Sequence, residues 1–246
     1  MDSIETQRRQ YLQAMGIDLW EQRAATADES PLESPVEANR VQDSARPDDD
    51  AAEPTQSTSM SMNWSELEQA VRACTRCALH KTRTQAVFGV GNRQAQWLVI
   101  GEAPGADEDR QGEPFVGRAG QLLNSMLKAI GLEREQVYIA NILKSRPPNN
   151  REPLPDEVVA CESYLRRQIE LINPKVILAV GRIAAQNLLK TETKIGALRG
   201  QRHVYPGSDI PVVVTYHPAY LLRSPQEKRK AWEDLQFAVR VFTGET

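Results

Sequence analysis

Four short runs of apolar and β-branched residues recur in the second part of the chain and alternate with stretches of helical spacing. The runs cover 96–101, 137–141, 175–181 and 212–216. Their length is typical of buried strands. Apolar residues recur on one helical face in the other stretches, which cover 64–74, 118–131, 155–172, 182–190 and 226–243. This alternation predicts a three-layer α/β/α domain at 63–246 with a central four-stranded parallel sheet.

The first 62 residues follow a different pattern. Residues 26–62 consist mostly of Ala, Asp, Glu, Ser, Pro, Thr and Gln. Such a stretch buries too little apolar surface to offset its ordering entropy, so we expect a disordered acidic linker. Before it, the sequence RRQYLQAMGIDLW at 8–20 concentrates aliphatic and aromatic residues. This indicates a partner-docking peptide within 1–25, with folding back onto the body of the same chain as the alternative.

Charge divides the chain at the same place. Residues 1–63 hold 13 acidic and five basic side chains, a net −8, whereas the whole chain carries −3, so residues 64–246 carry +5. The sign of the body is compatible with phosphate contacts. The sequence has no apolar run long enough to span a bilayer and no signal-peptide pattern. We therefore expect a cytoplasmic protein with no membrane partner.

Three of the predicted strands end in loops that carry chemically active side chains. These loops cover 101–117, 141–150 and 217–223. Because the carboxyl ends of parallel strands meet at one edge of the sheet, the loops should converge. We expect one site there that contains carboxylates, Phe115, Asn141 and His217.

The same loops carry a family resemblance. The motifs are GEAPG at 101–105, EDRQGEPFVGRAGQLL at 108–123, YIANILKSRPPNNREP at 138–153 and HPAYLLR at 217–223. In this order they resemble the type-4 uracil-DNA glycosylases, the iron–sulfur branch, over residues 64–243. The resemblance implies the uracil-DNA glycosylase fold. It also implies base excision repair, by hydrolysis of the N-glycosidic bond of uracil in DNA.

The resemblance assigns uracil binding to Gly101, Ala103, Phe115 and Asn141. An enzyme that acts on a base takes it out of the stack into a closed pocket. The ring of Phe115 offers a stacking surface, and the backbone N–H groups of the glycine-rich loop can add hydrogen bonds. The carboxamide of Asn141 can accept from uracil N3–H and donate to O4, whereas cytosine presents the opposite pattern at these atoms.

The catalytic candidates are His217, Glu102 and Glu108. A neutral His217 can donate to uracil O2 as negative charge gathers on the leaving base. Either glutamate can favour the cationic sugar or position water, and the resemblance does not settle which. It also provides no firm general base.

Four further residues are candidates for DNA binding. Arg118, Arg146 and Arg223 are expected to contact phosphates, and Leu221 is expected to act as a wedge in the base stack.

The cysteines depart from the family pattern. The resemblance implies a [4Fe–4S] cluster, for which Cys74, Cys77 and Cys161 match three ligands, but Ser145 stands at the third of the four ligand positions. A serine alkoxide is a harder and more basic ligand than a thiolate. The open alternatives are a cluster with a serine or outside ligand, a degraded cluster, no metal with three inert thiols, or a zinc site completed by His80.

A second, local resemblance concerns residues 8–20. They are similar to the amino-terminal peptide of the psi subunit of the DNA polymerase III clamp loader, which docks on the chi subunit. This implies an alternative function as a non-catalytic psi subunit or replisome adaptor, which would join chi, and so single-strand-binding protein, to the clamp loader. Ser145 favours the adaptor, because a retired enzyme can lose its cofactor. Glu102, Phe115, Asn141 and His217 favour the enzyme.

Overall fold

The computed structural model describes residues 61–245, so the predicted docking peptide and nearly all of the predicted linker lie outside the described residues. One sheet of six strands runs through this part of the chain in the order β1-β3-β2-β4-β6-β5. The strands are β1 (Val90–Gly91), β2 (Trp97–Gly101), β3 (Tyr138–Asn141), β4 (Val176–Val180), β5 (His203–Val204) and β6 (Pro211–Thr215).

The four inner strands are parallel to one another, as the sequence predicts. The register sets Gly101, the last residue of β2, opposite Asn141, the last residue of β3. The two edge strands pair antiparallel with β3 and β6 and were not expected. Each is only two residues long, so it has no alternation that a sequence pattern can reveal.

Eight α-helices connect and cover the strands in the described residues. They are α1 (Trp64–Arg72), α2 (Ala106–Gln111), α3 (Arg118–Ala129), α4 (Pro155–Ile172), α5 (Arg182–Leu189), α6 (Ile195–Leu198), α7 (Pro218–Arg223) and α8 (Lys228–Thr243). The five long predicted helices are confirmed as α1, α3, α4, α5 and α8. The helices α2, α6 and α7 were not predicted, because each is too short to show helical periodicity.

Alternate residues of each strand point to opposite faces of the sheet, and each face is covered by helices. Val99, Leu178 and Val213 are buried on the face that α3 and α8 cover. Leu98, Ile177 and Val212 are buried on the other face, with residues of α4 and α5. Because both faces are apolar, the inner strands read as continuous apolar runs, and the predicted three layers are confirmed.

Helix α1 packs outside this sandwich. Its residues Leu67 and Val71 are buried with Phe88 and with Tyr164 of α4. None of the helices in residues 61–245 is long and apolar enough to cross a membrane.

Candidate active site

A cleft of about 410 Å³ opens where β2, β3 and β6 end. This volume lies within the range of small-molecule sites, roughly 300–1,000 Å³. Seven residues singled out from the sequence line it: Glu102, Ala103, Glu108, Phe115, Asn141, His217 and Arg223. Eight further lining residues were not predicted: Pro104, Gly105, Ala119, Pro147, Asn150, Arg151, Ala219 and Tyr220.

The side chain of Asn141 lies at the buried end of this cleft. The residue is 2% exposed, and its amide oxygen has no hydrogen-bond partner among the described residues. A buried, unpartnered polar atom costs roughly 1–3 kcal/mol of stability. Such a cost at a cleft is explained if a ligand supplies the missing donor.

Gly101 allows two side chains to approach its backbone. A Cβ atom at this position would lie 2.5 Å from the amide oxygen of Asn141 and 2.6 Å from Cζ of Phe115. Both distances are too short for any real Cβ contact, so only glycine fits without displacing one of the two. Gly101 is not itself among the lining residues, but it leaves the room that Asn141 and Phe115 occupy there.

The buried side chain of Lys144 holds the backbone of Asn141 in place. Its Nζ donates to the carbonyl oxygen of Asn141 at 2.9 Å and to Oε1 of Gln168 at 2.7 Å. Nε2 of Gln168 in turn donates to the carbonyl oxygen of Phe88. Burial lowers the pKa of Lys144 to about 7. A lysine three residues beyond a strand gives no sequence signal for this role, since its partners are set by the tertiary fold.

Phe115 adopts the left-handed backbone region, with a φ of 55°. This conformation is strained for an aromatic residue and needs support from its surroundings. Arg134 provides it, because its guanidinium donates to the carbonyl oxygen of Pro114 at 2.6 Å and to that of Phe115 at 3.3 Å. Gly120 in α3 also leaves room, since a Cβ there would lie 1.8 Å from the carbonyl oxygen of Phe115.

Glu108 supports the same turn from the other side. Its Oε1 accepts from the backbone N–H groups of Val116 and Gly117 at 3.0 and 3.1 Å, and Oε2 accepts from that of Gly105 at 3.1 Å. A carboxylate with three backbone donors is held in place. Arg134 and Glu108 thus hold opposite sides of the Phe115 turn, by its carbonyl and N–H groups respectively.

His217 begins α7, and its ring is held in one tautomer. Nδ1 accepts a hydrogen bond from the backbone N–H of Ala219 at 3.1 Å, so the proton of the neutral ring is on Nε2. Burial and the nearby charge of Arg223 lower the pKa of His217 to about 4. The ring is therefore neutral near pH 7, and it lies 5.5 Å from the ring of Phe115, centroid to centroid.

Glu102 differs from Glu108 in its surroundings. It lines the cleft directly after β2. Burial, and secondarily the charge of Glu152, raise the pKa of its carboxyl above the ordinary value, while Arg182 opposes this shift. Among the described residues no hydrogen bond or ion pair engages its carboxylate, so this group is free to act on a ligand or a water.

The residues predicted to contact DNA divide into three groups. Arg223 lines the cleft, whereas Arg118 and Arg146 lie outside its lining, and Nε of Arg146 donates to Asn150 at its rim. Leu221 is 0% exposed and packs in the core, which contradicts its prediction as an exposed wedge. Helix α7 turns its neighbour Tyr220 outward instead, with 36% of that residue exposed.

The predicted cluster residues lie around one corner of the domain. Cys161 is buried beside Leu79 and Leu143, and Cys77 packs against this group. At the third ligand position, the hydroxyl of Ser145 accepts a hydrogen bond from Nη1 of Arg83 at 2.8 Å. Within residues 61–245, no three His, Cys, Asp or Glu side chains are grouped to hold a metal ion, which contradicts the zinc alternative. Three thiols and a hydroxyl held by a guanidinium do not match the usual four-thiolate ligand set of a [4Fe–4S] cluster.

Comparison with known proteins assigns this arrangement to a family. Residues 88–236 match the model of the uracil DNA glycosylase superfamily. A type-4 uracil-DNA glycosylase of Archaeoglobus fulgidus is 48% identical over 177 residues, which cover 70% of this chain and 89% of the relative. That of Thermotoga maritima is 44% identical over 175 residues, covering 70% and 91%. A type-5 uracil-DNA glycosylase of Pyrobaculum aerophilum is 30% identical over 148 residues, covering 53% and 64%. The chain therefore belongs to the uracil DNA glycosylase superfamily.

Proposed function

We propose that this protein is a uracil-DNA glycosylase of the type-4 kind, acting in DNA repair. The observation that carries the proposal is the unpartnered amide oxygen of Asn141 at the buried end of the cleft, beside the ring of Phe115. In the proposed reaction, the bond between C1′ of the deoxyribose and N1 of uracil breaks, and water adds its oxygen to C1′. Uracil leaves with the electron pair of the broken bond and takes up a proton.

Uracil recognition rests on Asn141 and Phe115. The amide oxygen of Asn141 accepts from N3–H of an extrahelical uracil, and its NH₂ group donates to O4. Cytosine has no hydrogen on N3 and carries an amino group at the position of O4, so it leaves these groups opposed. Stacking on the Phe115 ring contributes about 1–3 kcal/mol and accepts any base, so discrimination falls to the amide.

Departure of the base is assisted by His217. Nε2–H of the neutral ring donates to uracil O2, where negative charge collects as the glycosidic bond breaks. The hydrogen bond from Ala219 to Nδ1 supports this role because it fixes the donor in advance. Loss of a donor of this kind commonly costs about 2.7–4 kcal/mol of transition-state stabilisation. Ala103 lines the cleft in which the base is proposed to lie, and Gly101 leaves room beside it for Asn141 and Phe115.

The sugar and the attacking water are assigned to Glu102. Its carboxylate lines the cleft and has no other described partner, so it can stabilise positive charge at C1′ and hold water. Glu108 is assigned a positioning role, because its two oxygens already accept three backbone N–H groups. The two roles proposed here follow from this difference in hydrogen bonding between the two glutamates, which the sequence alone does not show.

DNA binding is assigned to the rim of the cleft. Arg223 lines the cleft, and Arg146 and Arg118 are proposed to contact phosphates farther along the strand. The exposed ring of Tyr220 takes the place of Leu221 as the side chain that meets the neighbouring bases. Aromatic stacking of this kind is tolerant of sequence.

A second candidate function concerns the amino terminus. The psi-like sequence at 8–20 and the serine at position 145 favour a replisome adaptor that binds a chi subunit. The proposed acidic linker over 26–62 follows this peptide in the sequence. This activity is compatible with glycosylase activity on one cytoplasmic chain. We expect deletion of residues 1–25 to abolish capture of chi and to leave uracil release unchanged. Capture that survives the deletion contradicts the docking peptide.

The experiment that tests the glycosylase is uracil release from a single-stranded oligonucleotide with one deoxyuridine. We expect the purified full chain to release free uracil and leave an abasic site. The variant His217→Ala should release it about 100- to 1,000-fold more slowly. A folded wild-type protein that releases no uracil contradicts the proposal and favours the adaptor alone.

A further inference from the structure

Arg83 joins three segments of the chain at the corner where the family resemblance implies an iron–sulfur cluster. Its Nη1 donates to the hydroxyl of Ser145, and its Nη2 donates to the carbonyl oxygens of Arg72 and Cys74, both at 2.9 Å. One side chain therefore connects the end of α1, the Cys74 turn and the loop after β3.

The hydrogen bonds of Arg83 to Ser145 and to Cys74 are part-buried, whereas the bond to Arg72 is exposed. Ser145 is 3% exposed, and the side chain of Arg83 is half-buried. Hydrogen bonds from a charged donor are about twice as strong as neutral ones, and shielding from solvent increases their strength further. The hydroxyl of Ser145 is also far less acidic than a thiol, so the guanidinium has an uncharged oxygen to hold rather than a thiolate.

A backbone hydrogen bond continues the same connection. The N–H of Val87 donates to the carbonyl oxygen of Lys144 at 2.8 Å, so the segment 83–87 contacts the loop after β3 at two successive residues. This loop begins at Asn141 and continues to Pro147 and Arg151, which line the cleft. The position of the cleft wall thus depends on this corner of the molecule.

We propose that Arg83 replaces the cofactor: the hydrogen bonds from its guanidinium to Ser145 and to the Cys74 turn hold this corner together in a protein that contains no iron–sulfur cluster. Cys74, Cys77 and Cys161 then remain as thiols packed beside the connection. The inference does not depend on the proposed enzymatic activity.

Iron content is the first test. The full chain and its Ser145→Cys variant are purified anaerobically, incubated with ferrous iron and sulfide, and analysed for iron and acid-labile sulfide. We expect the wild-type protein to retain no stoichiometric iron and the variant, with its fourth thiol restored, to retain iron. Wild-type protein with the four iron atoms of a [4Fe–4S] cluster overturns the proposal.

A double-mutant cycle tests the connection itself. Urea unfolding is measured for the wild type, Ser145→Ala, Arg83→Met and the double variant. We expect Ser145→Ala to raise the unfolding equilibrium constant about tenfold in the wild-type background and to have no further effect beside Arg83→Met. Equal effects of Ser145→Ala in both backgrounds overturn the proposal. If Arg83→Met does not fold, Arg83→Lys, which cannot reach all three acceptors at once, replaces it in the cycle.

Discussion

The backbone N–H of Ala219 donates to Nδ1 of His217 at 3.1 Å, which leaves the proton of the neutral imidazole on Nε2. A helix end thus provides the hydrogen bond that orients a donor in the cleft. The same N–H would be unpaired without it, because the first turn of a helix has no intrahelical acceptors. One bond therefore caps α7 and prepares the group proposed to stabilise the leaving uracil.

The acid limb of the pH–rate profile should belong to Glu102 and not to His217. Activity requires an ionised Glu102, whose pKa is raised above 4.5, and a neutral His217, whose pKa is lowered to about 4. As the pH falls, Glu102 is therefore protonated first. We expect kcat/KM to fall as this single carboxylate is protonated, with a midpoint above the ordinary glutamate value of 4.5. In Glu102→Gln the plateau of kcat/KM should be lower, and the remaining acid limb should move to about pH 4, where His217 is protonated. A limb near the ordinary histidine pKa of about 6.5 that Glu102→Gln leaves in place contradicts this assignment.

Asn141→Leu should separate stability from activity. Leucine has a similar shape and removes the buried, unpartnered amide oxygen. We expect the Tm of the variant to equal or exceed that of the wild type, since the desolvation cost disappears. Its kcat/KM for uracil release should fall about 100-fold or more, because two hydrogen bonds to the base are lost. A large drop in Tm shows instead that the amide stabilises the free protein.

Gly101→Ala should disturb the two cleft residues that lie against this glycine. The added Cβ would displace the amide of Asn141 or the ring of Phe115, which lie 2.5 and 2.6 Å from its position. We expect the inhibition constant for free uracil to rise at least about tenfold. This change corresponds to the loss of roughly one hydrogen bond to the base. The matched control is Gly196→Ala, whose Cβ meets nothing within 4 Å. Unchanged inhibition in Gly101→Ala is incompatible with a base seated against this glycine.

Arg134 should act through Phe115. Lysine at this position cannot donate to the carbonyl oxygens of both Pro114 and Phe115, so the left-handed turn at Phe115 loses support. We expect Arg134→Lys to raise KM for deoxyuridine-containing DNA about tenfold while binding of the same DNA without uracil stays unchanged. Arg110→Lys, at an exposed arginine paired with Asp107, is the control. An equal loss of binding to both DNAs indicates a phosphate contact in place of a positioning role.

Substitution of Tyr220 should affect uracil release, whereas substitution of its neighbour Leu221 should affect stability. Leu221→Ala empties a fully buried core position and should lower the free energy of unfolding by about 2–5 kcal/mol. Tyr220→Ala removes a partly exposed ring, so we expect an unchanged Tm and slower uracil release from double-stranded DNA. If Leu221→Ala releases uracil more slowly than the wild type at a temperature where the variant is folded, the assignment of Tyr220 in place of Leu221 is contradicted.

The sequence predicts the inner sheet well because its strands are buried on both faces. Apolar runs such as 175–181 have that appearance only in a covered parallel sheet. The loops after the strands also converge as expected, which brings Phe115, Asn141 and His217 to one cleft. Local patterns thus predict the burial of the inner strands and the convergence of their loops, but not the order of the strands within the sheet.

The contacts that support the site could not be predicted in this way. Arg134 meets the carbonyl oxygens of Pro114 and Phe115 across 20 and 19 residues of sequence, and Arg83 meets Ser145 across 62. Neither contact has a local periodicity or a motif. The prediction that Leu221 is a wedge was wrong for a related reason. Leu221 lies in a six-residue helix, which is too short for the sequence to show which of its side chains face the core.

The role of Asn141 can be tested by single-turnover rates of base release from matched single-stranded oligonucleotides that carry uracil or cytosine at one position. We predict rapid release of uracil and none of cytosine by the wild-type chain, and a loss of uracil release in Asn141→Leu with its Tm retained. Uracil release that persists unchanged in that variant, or no release by the folded wild-type chain, contradicts the account in which Asn141 reads the base.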